Sequence, residues 1–253
     1  MDTIICTNIN SIPRDQWEEC RSDKAGGDPF LSYDFFLLLE TSNSVGHKTG
    51  WIPFYITFKE KNIVVGIIVS FLKNHSQGEY VFDHSWADAY QRSGGKYYPK
   101  LQVAVPFTPV SGERILIRPK FENRVDEMIT LTKRLVKENK LSSLHITFCN
   151  ERFVSVAKKN SLLVREGIQY HWFNRNYKSF DDFLGSLTHR KRKNITKERK
   201  QARNFGGEIK SLTGCQLTDL ELESFWHFYQ NTGQRKWGYP YLTRDFFMNL
   251  KKN

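Results

Sequence analysis

Cysteine is scarce in this chain and never clustered. The four present, Cys6, Cys20, Cys149 and Cys215, form no C-x-x-C pair, so neither a zinc site nor a thioredoxin-like redox motif can be read. Free, mostly buried thiols in a reducing compartment are the expectation. Long hydrophobic runs are missing too. The longest, Ile63 to Leu72, is ten residues between Lys61 and Lys73, against the roughly 18 that a membrane-spanning helix needs. The N-terminus carries Asp2, Asn8, Asn10 and Ser11 in place of a basic start and an apolar stretch, which predicts a cytosolic protein. Catalytic signatures are equally few. There is no G-x-S-x-G, H-E-x-x-H, G-x-x-x-x-G-K-S/T or G-x-G-x-x-G, which removes the usual signals of serine hydrolases, zincins, P-loop NTPases and dinucleotide folds. His84 sits between Asp83 and Ser85 but resembles a triad only in composition, because adjacent residues point apart.

What is present is a globular composition with a local excess of positive charge. Of 253 residues 39% are hydrophobic and 14% aromatic, enough to bury a core. Formal net charge is +11, and Leu187 to Lys210 alone holds nine Lys or Arg against Glu198 and Glu208, a net of +7. One basic segment in a near-neutral body points to a local site for polyanionic groups rather than to diffuse attraction.

Strands and helices alternate in the first half. Thr3 to Ile9 reads as a strand, a short helix carrying Trp17 follows Pro13, and a second helix starts at Ser32. Trp51 to Phe58 and Ile63 to Leu72 read as a β-hairpin whose second strand, apolar throughout, belongs in the centre of a sheet. Tyr80 to Gly112, rich in aromatics, Gly and Pro, lacks a sustained period and is expected to be a site-lining loop. A helix over Arg124 to Lys140, a strand from Leu144, a helix from about Arg152 and a strand over Ile168 to Phe173 complete a mixed α/β domain, a mixed sheet with flanking helices, at residues 1–173. The remainder, 174–253, reads as helical. Ser179 starts one long basic helix over about 180–205, stopped by Gly206 and Gly207. Thr218 with Glu221 caps a helix bearing Leu222, Phe225, Trp226 and Tyr229, and Thr243 caps another through Phe247. The rings of Phe225, Trp226, Phe246 and Phe247 have little to pack against in so few elements, so a fragment of a longer protein is expected.

Two segments carry chemistry with a plain alternative beside each. Arg190 to Arg203 puts eight cations in fourteen positions, which suits anion binding but also an ordinary solvated helix face. Gln234 to Tyr241 interleaves Arg235 and Lys236 with Trp237, Tyr239 and Tyr241, as a site for phosphate plus a planar or sugar group would; packed aromatics beside a solvated turn is the other reading. Gln91 to Lys96 resembles the coenzyme A diphosphate turn of the GNAT acetyltransferases. It departs from that pattern at Lys96 and lacks a readable preceding strand, which leaves an ordinary glycine turn as the simpler reading.

Asp83 to Tyr90, Tyr97 to Leu101, Val105 to Gly112, Gln169 to Trp172, Phe180 to Leu184, Lys191 to Lys193, Lys197 to Arg199 and Lys236 to Arg244 together resemble the FemAB-like proteins, described as peptidoglycan biosynthesis/recognition, from about Trp51 onward. The resemblance implies the GNAT acyl-CoA N-acyltransferase superfamily, with two such domains in tandem and the second incomplete here. It further implies an N-acyltransferase moving an acyl or aminoacyl group from acyl-CoA or aminoacyl-tRNA to an amine, in peptidoglycan biosynthesis. Such a transfer needs positioning and oxyanion stabilisation but no enzyme nucleophile, metal or permanently bound cofactor. On this reading Lys191, Arg192, Lys193 and Arg199 hold phosphates, and Lys236, Trp237 and Tyr241 border the substrate. Asp83, Trp86, Tyr98 and Lys100 line a first-domain pocket, with Asp83 the single general-base candidate. A non-catalytic RNA-binding module is the alternative. Peripheral contact with anionic lipid through the same basic helix is a third reading.

Overall fold

The structure, a computed structural model, describes residues 1–21, 27–236 and 238–251. The expected mixed α/β architecture is found, built on two four-stranded sheets with helices packed against them. In chain order come β1 (Asp2–Cys6), α1 (Arg14–Cys20) and α2 (Tyr33–Thr41), then β2 (Trp51–Pro53), β3 (Tyr55–Glu60), β4 (Ile63–Ile68) and β5 (Ser70–Lys73). These are followed by α3 (His84–Arg92), β6 (Lys100–Val103), β7 (Ile115–Ile117), α4 (Val125–Glu138), β8 (Leu144–Ile146) and α5 (Glu151–Lys159).

The expected hairpin is present, but each arm is broken and serves both sheets. β3 and β4 turn at Lys61 and Asn62, whose φ values of 49° and 65° are those of a tight hairpin turn. Beyond the interruptions at Phe54 and Val69, the same arms continue as β2 and β5 in the second sheet. The orders are β1-β3-β4-β7, wholly antiparallel, and β2-β5-β6-β8, in which only β6 and β8 run parallel. As the apolar run implied, β4 and β5 are central strands. Val64 and Ile67 of β4 enter one hydrophobic cluster, with Trp17, Phe36 and Tyr55, while Val65 and Ile68 enter another, with Phe58, Met128 and Phe153. Gly66 lets α4 approach, since a Cβ there would meet the Met128 methyl at 2.5 Å.

The chain divides into two compact units, residues 1–164 with 217–253, and 165–216. The boundary differs from the expected one at 173/174. Helices α8 (Asp219–Arg235) and α9 (Arg244–Asn249) belong with the first unit because Phe246 and Phe247 are buried in the cluster around Trp17 and Phe36. Trp226 and Tyr229 pack against the same cluster. Thr243 fastens the join, its Oγ1 donating to the Ser42 carbonyl at 2.8 Å while it caps α9. The shortage of partners expected for Phe246 and Phe247 is therefore not found, whereas Phe225 stays 56% exposed.

Unit 165–216 is the sparser of the two. Leu184 is its one buried hydrophobic residue among those described. Ile168 to Phe173, expected as a strand, has no regular secondary structure and pairs with no strand among the described residues, and Ile168, Tyr170, Trp172 and Phe173 are exposed. The single long helix is two, α6 (Phe180–Gly185), capped by Ser179, and α7 (His189–Arg203). The break falls at Ser186–Thr188, where the Arg192 guanidinium donates to the carbonyls of Leu184, Gly185 and Leu187 at 3.0–3.1 Å and so satisfies the end of α6.

Candidate functional site

The segment from Tyr80 to Gly112 holds α3 and β6, so it is more ordered than its composition suggested. At its start the loop Asn74–Asp83 is gripped by two buried lysines. Lys73 and Lys100 are cross-strand partners in β5 and β6, both with no solvent exposure. Two cations side by side in a core demand compensation. Lys100 Nζ donates to Glu79 Oε2 and Asp83 Oδ2, each at 2.8 Å, and to Ser76 Oγ at 3.0 Å. Asp83 Oδ2 also accepts from the Tyr97 hydroxyl at 2.7 Å, and Tyr98 shares a 2.7 Å hydrogen bond with Ser76. Lys73 has no carboxylate of its own. Its ammonium sits 3.9 Å from the centroid of the Trp51 ring and donates to the Gln77 carbonyl at 3.1 Å.

Electrostatics separate these groups. Burial draws the Lys73 ammonium down to about 7, helped by Lys100 and opposed by Glu79 and Asp83. Burial also raises the Glu79 carboxyl, with Lys100 opposing. For Asp83, burial works upward but is outweighed by hydrogen bonds from Lys100, Ser76 and Tyr97, which hold the carboxyl at about 2. His145, 3.8 Å from Asp83 through Nδ1, is lowered to about 4, chiefly by burial and then by Lys100. It is a neutral imidazole at pH 7.

Asp83, Tyr98 and Lys100 of the sequence-derived set thus come together. Asp83 does not suit a general base: it is buried, locked by Lys100 and Tyr97, and too acidic to take a proton near neutrality. Trp86, on α3, is 62% exposed rather than part of the cluster. Gln91 to Lys96 covers the last two residues of α3 and the turn after it, with Gly94 at φ 81°, so its amides do not open a helix and the ordinary glycine turn is the correct reading. Glu79, Ser76, Lys73, Tyr97 and His145 were missed. The available signal was a lysine at the end of one apolar strand, Lys73 closing β5, and another at the start of the next, Lys100 opening β6. Among the described residues no group of three or more His, Cys, Asp or Glu side chains is placed to hold a metal ion.

Elsewhere in the first unit, Tyr241 stacks on Phe107 with centroids 5.0 Å apart and planes 9° from parallel, and meets Tyr80 edge-on at 6.2 Å. Lys236 is exposed, and Trp237 falls outside the described residues. In unit 165–216, Lys191 and Lys193 are solvent-exposed. Arg192 is spent on the end of α6, and Arg199 lies 3.7 Å over the Phe180 ring. At 100° per residue the outward stripe of α7 is instead Arg190, Lys193, Lys197 and Lys200, within about 80° of arc, opposite Ile195, Arg192 and Arg199. No carboxylate among the described residues pairs with any of those four.

The described residues include no helix long and apolar enough to cross a membrane. Among curated proteins none matches this chain. A crystal structure of the aminoglycoside antibiotic 6'-N-acetyltransferase AAC(6')-IG from Acinetobacter haemolyticus, in its apo form, is 14% identical, with 70% of this chain and 100% of that chain covered at a TM-score of 0.37. A likeness of that degree carries no argument. The model of the FemAB-like family, described as peptidoglycan biosynthesis/recognition, matches residues 8–253. Since that match takes in nearly the whole sequence, the chain belongs to the FemAB-like family.

Proposed function

We propose that this protein is an N-acyltransferase, with a GNAT-like fold in tandem, that moves an acyl or aminoacyl group from a phosphate-bearing donor to an amine in peptidoglycan biosynthesis. The observation that carries the reading is the family match over residues 8–253. The amine nitrogen attacks the acyl carbon, the C–N bond forms as the donor's C–S or C–O bond breaks, and the proton lost by nitrogen is balanced by one taken up by the leaving group. Orientation and charge stabilisation suffice for such a step. The four cations of the α7 stripe, with Lys191, are the proposed phosphate holders, and a coenzyme A or tRNA donor would each meet them. Lys236, Trp237 and Tyr241 are proposed to border the substrate. The Lys100 cluster is proposed to shape the loop beneath, not to exchange protons. A cytosolic location belongs to the same proposal.

The test is to incubate the protein with acyl-CoA and aminoacyl-tRNA donors and a panel of primary amines, and to follow amide products by mass spectrometry. Enzyme-dependent amide from one donor class is expected. RNA bound without turnover of either donor would favour the non-catalytic module, which the exposed rings of Tyr170, Trp172 and Phe173 in the same unit as α7 also suit.

A further inference from the structure

Three aromatic residues adopt a left-handed backbone, Tyr80 (φ 56°), Phe107 (φ 62°) and Phe148 (φ 53°). For a bulky side chain this conformation is an outlier that the surroundings must enforce, and such strain gathers at binding sites. Two of the three deliver their rings to one spot. Phe107 lies parallel to Tyr241, and Tyr80 stands edge-on to it and 45% exposed.

The means of enforcement is visible. Tyr80 follows Glu79, whose carboxylate is tied to Lys100, and three residues on Asp83 is tied to the same ammonium. The Gln77 carbonyl accepts from both Lys73 Nζ and Trp51 Nε1 at 3.1 Å. Gly78, at φ 76°, lets the chain pass under Phe107, whose ring would come within 2.9 Å of any Cβ. A loop so firmly anchored below, with a strained and half-exposed tyrosine at its crest, holds that ring out for something other than its own core.

We propose that Tyr80 and Tyr241, backed by the core-packed ring of Phe107, form a stacking platform for the pyranose ring of a neutral saccharide. The polar groups that the structure ties to these rings are tyrosine phenols. Tyr229 Oη accepts from the amides of Tyr241 and Leu242 at 2.9 and 3.2 Å, which leaves its own proton to donate. Burial raises the Tyr80 phenol, and the phenols of Tyr241 and Tyr229 raise it further. Among the described residues the Tyr80 and Tyr241 hydroxyls make no hydrogen bond. Hydroxyls that both donate and accept match the hydroxyls of a sugar, and a ring's negative face matches its C–H groups. The platform extends the proposed placement of Tyr241 beside a substrate, yet binding is read without acyl transfer, so either reading can fail while the other stands.

The experiment titrates the full chain with cellobiose and di-N-acetylchitobiose, with uridine and adenosine as planar controls, and follows saturation-transfer NMR signals. Saturable disaccharide binding is expected, weakened at least tenfold in Tyr80→Gly and within about threefold of wild type in Tyr80→Phe. Glycine relieves the left-handed strain, so the denaturation midpoint of Tyr80→Gly should hold or rise, which a purely packed ring would not allow. No saturable disaccharide binding, affinity unchanged in Tyr80→Gly, or binding of the nucleosides alone would each overturn the proposal.

Discussion

The lysines of unit 1–164/217–253 and those of unit 165–216 are the same residue type in opposite circumstances. Lys73 and Lys100 have no exposure, and Lys100 is neutralised by Glu79 and Asp83. Lys193, Lys197 and Lys200 stand in solvent with no carboxylate partner among the described residues. A buried ion pair stabilises little on balance, yet removing one member strands the other's charge. Exposed and unpaired cations, by contrast, contribute nothing to folding and repel one another until an anion arrives. The first set therefore serves architecture, and the second is proposed to await an anionic ligand.

Breaking the buried set should give the largest effect. Lys100→Met leaves two carboxylates facing each other in the core and is expected to cost about 3–5 kcal/mol, read from urea unfolding. A loss under 1 kcal/mol would show that the cluster is open to water. Lys73 sharpens the contrast through pH. Its ammonium titrates near 7 when folded and at 10.5 as a free side chain, so between those values the unfolded chain binds more protons and stability rises with pH. Asp83 acts at the other end, its contribution being complete above the free value of 3.8 and lost as pH falls through about 2. Lys73→Met should flatten the rise above pH 7 while leaving the acid limb unchanged, with Glu79, Asp83, Lys100 and His75 still titrating nearby. A rise identical to wild type would remove Lys73 as its source. Thr243→Ala should give the smallest change, about 1 kcal/mol, because it removes the cap of α9 and the bond to Ser42. No change in the unfolding midpoint would mean that α9 contributes little to the first unit.

Much of the first unit is legible in its sequence because periodicity and caps carry local information. Ser32 and Thr243 each accept the amide bond expected of an N-cap, and Ile63 to Leu72 is central in both sheets. What periodicity cannot report is tertiary. Nothing local says that β3 and β4 leave their sheet at Phe54 and Val69, or that Phe246 and Phe247 return to pack with Trp17. The break between α6 and α7 depends on one arginine reaching back to three carbonyls. The site was legible in part for the same reason. Asp83, Tyr98 and Lys100 stand out by composition, whereas Glu79 and Lys73 acquire meaning only when β5 and β6 pair and set the two lysines side by side. On α7 the density of charge was plain, but which cations face outward follows from Ile195 and Arg199 turning inward.

The most direct test of this division of labour is the salt dependence of polyanion binding by wild type and by the variant with Arg190, Lys193, Lys197 and Lys200 all changed to Gln. Using a single-stranded RNA as probe, the log-log slope should fall in magnitude by about 0.7 for each phosphate no longer neutralised, roughly 3 in all, with the unfolding midpoint unchanged. An unaltered slope and affinity would contradict the account, because the stripe would then be an ordinary solvated face.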